Sequence, residues 1–474
     1  MSREYKMFIN GKWEMGGERI EVRNPYNQEV IGTVPNASNK DVDRAIASAE
    51  KALAEISELP AHRRSKILEK TSDLLARHKD EIAGLIASES GKAWKYSVGE
   101  VARAVQTFKF AAEGAKQIHG ETVPMDAAEG SENQVGFYMR FPVGVIAAIS
   151  PFNFPLNLVA HKVAPAIAAG NSIVLKPATA TPLTALRLGE LLQEAGLPDG
   201  VLNIIVGPGS TVGDQLVSDE RVSMVTFTGS PPVGKRILSR GGLKKFTMEL
   251  GSNSATIVCD DADIGLAVER CAMGSYALSG QVCISVQRIY VQQSIADKFI
   301  DKFIAATQKQ VIGDPLQKDC DVGPMIDLNE AERVEQWVNE AVEGGAKILT
   351  GGKREETIYQ PTVLTNVTSD MKVIKDEVFG PVVSIVPFDT VAEAIRMTDD
   401  SRYGLQAGIF TQRIDSAFQA IRRINVGGVI INDVPTFRAD HMPYGGNKES
   451  GFGREGLKFA IEEMTNPKMV CFNL

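Results

Sequence analysis

Three patterns predict an α/β chain with two doubly wound open-sheet domains and a small β arm for assembly. First, short apolar, β-branched runs at residues 143–149, 172–175, 202–206 and 224–227 alternate with helical segments at 182–195 and 232–239. Such runs read as strands buried on both faces, the mark of a parallel sheet covered by helices. Second, the alternation resumes beyond Ala255, with strand-like runs at 288–291, 382–386 and 429–431 and helices at 296–310, 330–343 and 391–397. Third, an extended polar stretch at 120–141 fits neither domain and reads either as a surface loop or as a hairpin arm.

The elements follow in order. Met7 to Trp13 reads as a strand and a turn, because Asn10-Gly11 favours left-handed turn geometry. Val42, Ile46, Ala49, Leu53 and Ile56 recur at helical spacing behind Ser38 or Asn39 as a cap. A second helix carries Ile67, Leu68, Leu74, Leu75, Ile82, Leu85 and Ile86, with Gly91 to stop it. The boundary between the two sheets falls near Gly251-Ser252. The last residues, Met469 to Leu474, form an apolar terminal strand, an edge that pairing with another subunit would cover.

The balance of 51 basic against 59 acidic residues, a net charge of −8, argues against nucleic acid or an anionic membrane as main partner. No apolar run is long enough to span a bilayer and no signal peptide is read, so a reducing cytoplasmic setting is expected. Cys259, Cys271, Cys283, Cys320 and Cys471 show neither a disulfide framework nor metal-ligand spacing, so no metal is expected.

Among them Cys283 stands out, because Gly280 allows close backbone approach and a backbone N–H beside the sulfur could hold an oxyanion. Glu249 ends an apolar run at the domain boundary, where desolvation would raise its pKa and suit it to general base work. Asn153 follows the first parallel strand, at the strand end where open sheets bind ligands, and can donate its amide N–H. Glycine and serine around Gly209 and Gly229-Ser230 open helices in the manner of phosphate sites, and Lys176 and Thr179 could reach a ribose.

Phe152-Asn153-Phe154-Pro155, Leu175-Lys176-Pro177-Ala178, Phe227-Thr228-Gly229-Ser230, Glu249-Leu250-Gly251, Gly280-Gln281-Val282-Cys283 and Glu377-Val378-Phe379-Gly380-Pro381, in that order, resemble the aldehyde dehydrogenase superfamily. The resemblance runs from Phe8 to Gly451 and lies nearest the lactaldehyde-type branch. It implies oxidation of an aldehyde to its acid with NADP or NAD. Cys283 would be the nucleophile of a thiohemiacetal and thioester, Asn153 the oxyanion donor and Glu249 the base that activates water. Ile149, Ser150, Lys176, Thr179, Gly209, Gly213, Gly229, Ser230, Val233, Leu250, Glu377 and Phe379 would form the cofactor site. The domains would be a Rossmann-like cofactor domain (1–119 and 142–250), a catalytic domain (251–454) and an oligomerisation arm with the C-terminal strand (120–141 and 455–474), assembled as a homodimer or homotetramer.

Two departures refine the resemblance. Many NAD-preferring relatives carry Glu where Thr179 stands; threonine would accept a 2′-phosphate, which favours NADP. His161 and Val282 stand where succinate-semialdehyde and non-phosphorylating glyceraldehyde-3-phosphate enzymes respectively have Arg, which argues against those substrates. The expected substrate is a small aldehyde, lactaldehyde-like or short and anionic, lined by Phe154 and met by Arg438 or His441; an Arg438–Asp440 or intersubunit pair is the alternative for that loop. Aromatic or longer aliphatic aldehydes, and a non-catalytic cofactor-binding or structural protein, are the competing functions.

Overall fold

The computed structural model describes residues 3–474. One sheet has eight strands in the order Gly451–Phe452, Lys245–Glu249, Val222–Thr228, Val145–Ile149, Ser172–Lys176, Leu202–Ile204, Met7–Ile9 and Lys12–Glu14. The five from Lys245–Glu249 to Leu202–Ile204 are parallel, and the strands added at either edge are antiparallel. Every residue of Val145–Ile149 is buried. Ile146 and Ala148 enter the core on one face, and Val145, Ala147 and Ile149 that on the other. This is the period of two that a strand covered on both sides must show.

The second sheet has seven strands, in the order Lys347–Thr350, Thr362–Thr365, Val382–Phe388, Arg288–Gln292, Ala255–Val258, Gln406–Phe410 and Gly428–Ile431. All are parallel except Lys347–Thr350. The chain passes from one sheet to the other between Glu249 and Ala255.

The arm is a hydrogen-bonded unit rather than a free loop. Gln134–Pro142 pairs antiparallel with Thr465–Asn473 over nine residue pairs, and with Thr122–Val123 on its other edge. Cys471 pairs with Gly136 in this ladder and is exposed in the single chain.

The structure differs from the sequence expectation in three places. The second helix is two helices, Ala61–Arg77 and Lys79–Ser90, because His78 leaves helical geometry at φ −97° and ψ 20°. A further helix, Trp94–Ala115, follows Gly91, whose left-handed φ of 72° ends its predecessor. Most of its buried apolar residues are alanines (Ala104, Ala111, Ala112 and Ala115, beside Val101 and Phe108), a weak periodic signal. Finally, Gly451–Phe452 joins the edge of the first sheet, and Leu457, Ile461 and Met464 enter that sheet's core. The C-terminal segment thus returns to the first domain before it reaches the arm.

Local rules explain the elements that the expectation fitted. Asn10 and Gly11 take φ of 52° and 72° in the turn joining Met7–Ile9 to Lys12–Glu14. Ser38 caps Asn39–Glu58 in a reciprocal capping box with Asp41.

Candidate active site

The carboxyl ends of four adjacent strands bring the predicted residues to one edge of the first sheet. Ile149 stands in register with Lys176 on one side and Phe227 on the other, and Thr228 with Glu249. A cleft of about 130 Å³ opens there, lined by Ile149, Lys176, Gly209, Gly213, Phe227 and Val233 among others. Its walls are apolar, no atom lies within 4 Å of where a side chain on Gly209 would begin, and Val233 is exposed. Ser230 caps the helix Pro231–Gly241 without a side-chain hydrogen bond; Pro231 and Pro232 carry no N–H, so Val233 is the first residue of that helix with an amide to offer an anion. Burial pushes the Lys176 ammonium down to about 8, and its sole hydrogen bond among the described residues is to the Pro177 carbonyl at 3.1 Å. Ser150 Oγ is buried without a partner. A flat aromatic ring with a phosphate beside it fits these residues. Thr179 donates to the Gly207 carbonyl at 2.9 Å, Gly229 N–H donates to the Glu249 carbonyl at 3.0 Å, and Leu250 packs beneath Gly234.

Between the two sheets lies a second group. Glu377 accepts from the Ser252 N–H at 2.8 Å, and burial pushes its carboxyl up to about 7. It lies so close to Gly251 that a side chain there would displace its carboxylate. Phe379 holds a positive φ of 48° and presents its ring edge-on to Phe152 at 5.8 Å.

Cys283 is half-buried, with Phe154 and Met442, against an apolar cluster of Leu278, Val282, Ile284, Leu405 and Tyr444. Gly280, upstream, has φ 69° and abuts the Gly380 carbonyl, so only glycine serves there. Desolvation pushes the Cys283 thiol up to about 12, opposed chiefly by a hydrogen bond with the Tyr444 hydroxyl at 3.2 Å. Asn153 Nδ2 donates to the Gln281 carbonyl at 2.9 Å, which spends one amide hydrogen and leaves the other. Glu249 is buried with neither carboxylate oxygen hydrogen-bonded. Burial, then the neighbouring Glu455, push its carboxyl well above the usual range. A side chain on Gly445 would begin 2.9 Å from Glu249 Oε1, so the loop that carries Tyr444 also closes over Glu249.

The Arg438–Asp440 alternative and the placing of His441 are corrected. Arg438 does not pair with Asp440 and is not open to solvent; its guanidinium donates to Glu455 at 2.8 Å and lies 3.7 Å over the Tyr444 ring, its side chain 5% exposed. His441 is exposed and packs on Phe110 at 4.9 Å, on an outer cavity with Tyr138 and Arg140 rather than at Cys283. Asp440 instead binds Arg103 at 2.7 Å, His161 at 2.9 Å and Asn157 at 3.0 Å. Burial would raise its carboxyl, but His161 and Arg103 hold it well below the usual range.

Sequence reasoning missed Tyr444, Glu455 and Lys162. Lys162 Nζ reaches Thr228 at 2.7 Å and Glu455 at 3.3 Å from a helix, Asn157–Ala169, that is buried throughout. A lysine inside so apolar a run was the available signal, since a buried cation demands a partner.

The aldehyde dehydrogenase family model matches residues 13–470. The 3-sulfolactaldehyde dehydrogenase of Priestia aryabhattai is 51% identical over 472 residues, covering 100% of this chain and 98% of that one. The lactaldehyde dehydrogenase of Methanococcus aeolicus is 43% identical, covering 98% and 100% respectively. A crystal structure of the glyceraldehyde-3-phosphate dehydrogenase GapN of Methanocaldococcus jannaschii, complexed with NADP, superposes with a TM-score of 0.93 at 41% identity, over 96% of this chain and 99% of that one.

Proposed function

The chain belongs to the aldehyde dehydrogenase family and oxidises an aldehyde to its acid with NAD(P), and on that premise we propose that its substrate is a short aldehyde with an anionic tail and that NADP is the preferred cofactor. The observation that carries the substrate class is Arg438, whose Nε is buried without a hydrogen-bond partner although its fork is anchored on Glu455. A buried donor left unpaired is costly, and an anionic oxygen beside Tyr444 would satisfy it. Two of the relatives' names, 3-sulfolactaldehyde and glyceraldehyde-3-phosphate dehydrogenase, name substrates of the same class, and a third, lactaldehyde dehydrogenase, names one that is short but uncharged.

In this reading Cys283 Sγ adds to the aldehyde carbon, and the remaining N–H of Asn153 meets the developing oxyanion. NAD(P), when bound, supplies the acceptor for the hydrogen that leaves that carbon with its electron pair. Glu249, its two oxygens free, then takes a proton from the water that attacks the thioester and releases the acid. Lys176, Thr179 and Ser230 would hold the ribose and phosphate end of the cofactor, and Glu377 with Phe379 the nicotinamide end. Assembly as a homodimer or homotetramer belongs to the same proposal, supported by Val135, Met139, Met469 and Phe472, all exposed on the arm sheet.

Two measurements test it. Arg438→Gln should raise KM for 3-sulfolactaldehyde by about tenfold or more while changing that for an uncharged aldehyde of similar size far less, since a charge-assisted hydrogen bond contributes about 1.5–3 kcal/mol; equal effects on both would refute the anionic contact. Thr179→Glu should shift the ratio of kcat/KM for NADP over NAD at least ~10-fold toward NAD, because a carboxylate there repels a 2′-phosphate and binds the free hydroxyls. A wild-type enzyme that already prefers NAD would overturn the cofactor assignment.

A further inference from the structure

Tyr444 is buried, and the sole hydrogen-bond partner of its hydroxyl among the described residues is Cys283 Sγ at 3.2 Å. Buried phenols find a partner, and here the partner is the reacting atom. On the face of the same ring lies the Arg438 guanidinium, 3.7 Å from the centroid and held in place by Glu455. Glu455 is in turn fixed by Lys162. The phenol is thus clamped between a buried cation and a sulfur, by residues from three separate parts of the chain.

We propose that Tyr444 is a further catalytic residue, whose O–H donates a hydrogen bond to Cys283 Sγ, favouring the thiolate and fixing the direction of the sulfur, with Arg438 as the positioning residue that holds and polarises the ring. A cation over the ring face draws electron density from the phenol and makes its O–H a stronger donor. Of the groups that face the sulfur, Glu249 and Glu377 disfavour the thiolate by their charge, while Tyr444 and Arg438 favour it. Burial and the adjacent sulfur push the Tyr444 phenol well above its ordinary range, so it donates a hydrogen bond and gives up no proton. Addition to the carbonyl removes the charge from sulfur, so the bond to Tyr444 weakens as the thiohemiacetal forms and does not hold the sulfur back.

This inference rests on Cys283 being the nucleophile, and its test is separate from that premise. The rate of iodoacetamide alkylation is followed against pH by mass spectrometry of the peptide that carries Cys283, which distinguishes it from the exposed Cys471. Tyr444→Phe should move the midpoint up by about one pH unit, a ~10-fold slower alkylation at any pH below it, with kcat falling in parallel. Site-specific replacement of Tyr444 by 3-fluorotyrosine keeps the fold and the ring and strengthens the donor, and should move the midpoint down. Coincident midpoints in the wild type and either variant would overturn the proposal. Full activity in Cys283→Ala would instead overturn the nucleophile, whatever the alkylation curves show.

Discussion

If Cys283 is the nucleophile as proposed, replacing it with alanine should lower aldehyde oxidation by a factor on the order of 10³ or more, the cost of losing a covalent nucleophile rather than a binding contact. Cofactor binding, measured by quenching of intrinsic fluorescence, and the melting temperature should stay near wild type, because the side chain is small, half-buried and outside the cleft that Ile149, Lys176 and Val233 line. No other thiol can substitute. Cys259 and Cys271 are packed in the apolar cores of the second sheet, Cys320 is buried beside the Gly313 carbonyl, and Cys471 lies on the arm. A variant that kept more than a tenth of the activity would move the chemistry elsewhere.

On the same proposal, Glu249→Gln should separate the two halves of the reaction. Without a base the thioester forms but is not hydrolysed, so rapid mixing should show about one equivalent of reduced cofactor per site, followed by turnover slowed by about 10²–10⁴-fold. The pH dependence follows from burial. Desolvation and then Glu455 raise the Glu249 carboxyl, so the ionised base is populated only on the alkaline side of its ordinary range. Wild-type turnover under deacylation control therefore rises with pH through that raised value, and the glutamine variant lacks the limb. Slow turnover with no burst would mean that Glu249 acts before the thioester.

Much of this was legible in the residues. The alternating apolar runs located the parallel strands because strands buried on both faces have a composition that helices on a wet surface lack. Lys176 and Glu249 could be placed because each ends such a run, and strand ends are where an open sheet binds ligands. What was not legible depended on distant partners. Arg438 and Asp440 are two residues apart and look like a local pair, yet one turns to Glu455 and the other to Arg103 and His161. Periodicity carries no record of such choices; the shape of the loop and the unpaired charges beneath it decide them. Trp94–Ala115 escaped notice for a different reason, since alanines facing a core leave little amphipathic contrast.

The position of Tyr444 also has a consequence for biosynthesis. The sulfur of Cys283 and the hydroxyl that touches it are 161 residues apart in the chain. At translation rates of about 5–20 residues per second, Cys283 leaves the ribosome roughly 8–30 s before its partner. Asn153, Glu249 and Glu377 are also made before Tyr444, while Gly451–Phe452, the strand that closes the edge of the first sheet, follows it. Until then the nascent protein lacks the strand that closes the edge of the first sheet, and its sulfur lacks the hydroxyl partner. It gains a competent centre only when the segment from Arg438 to Phe452 has folded back across both sheets.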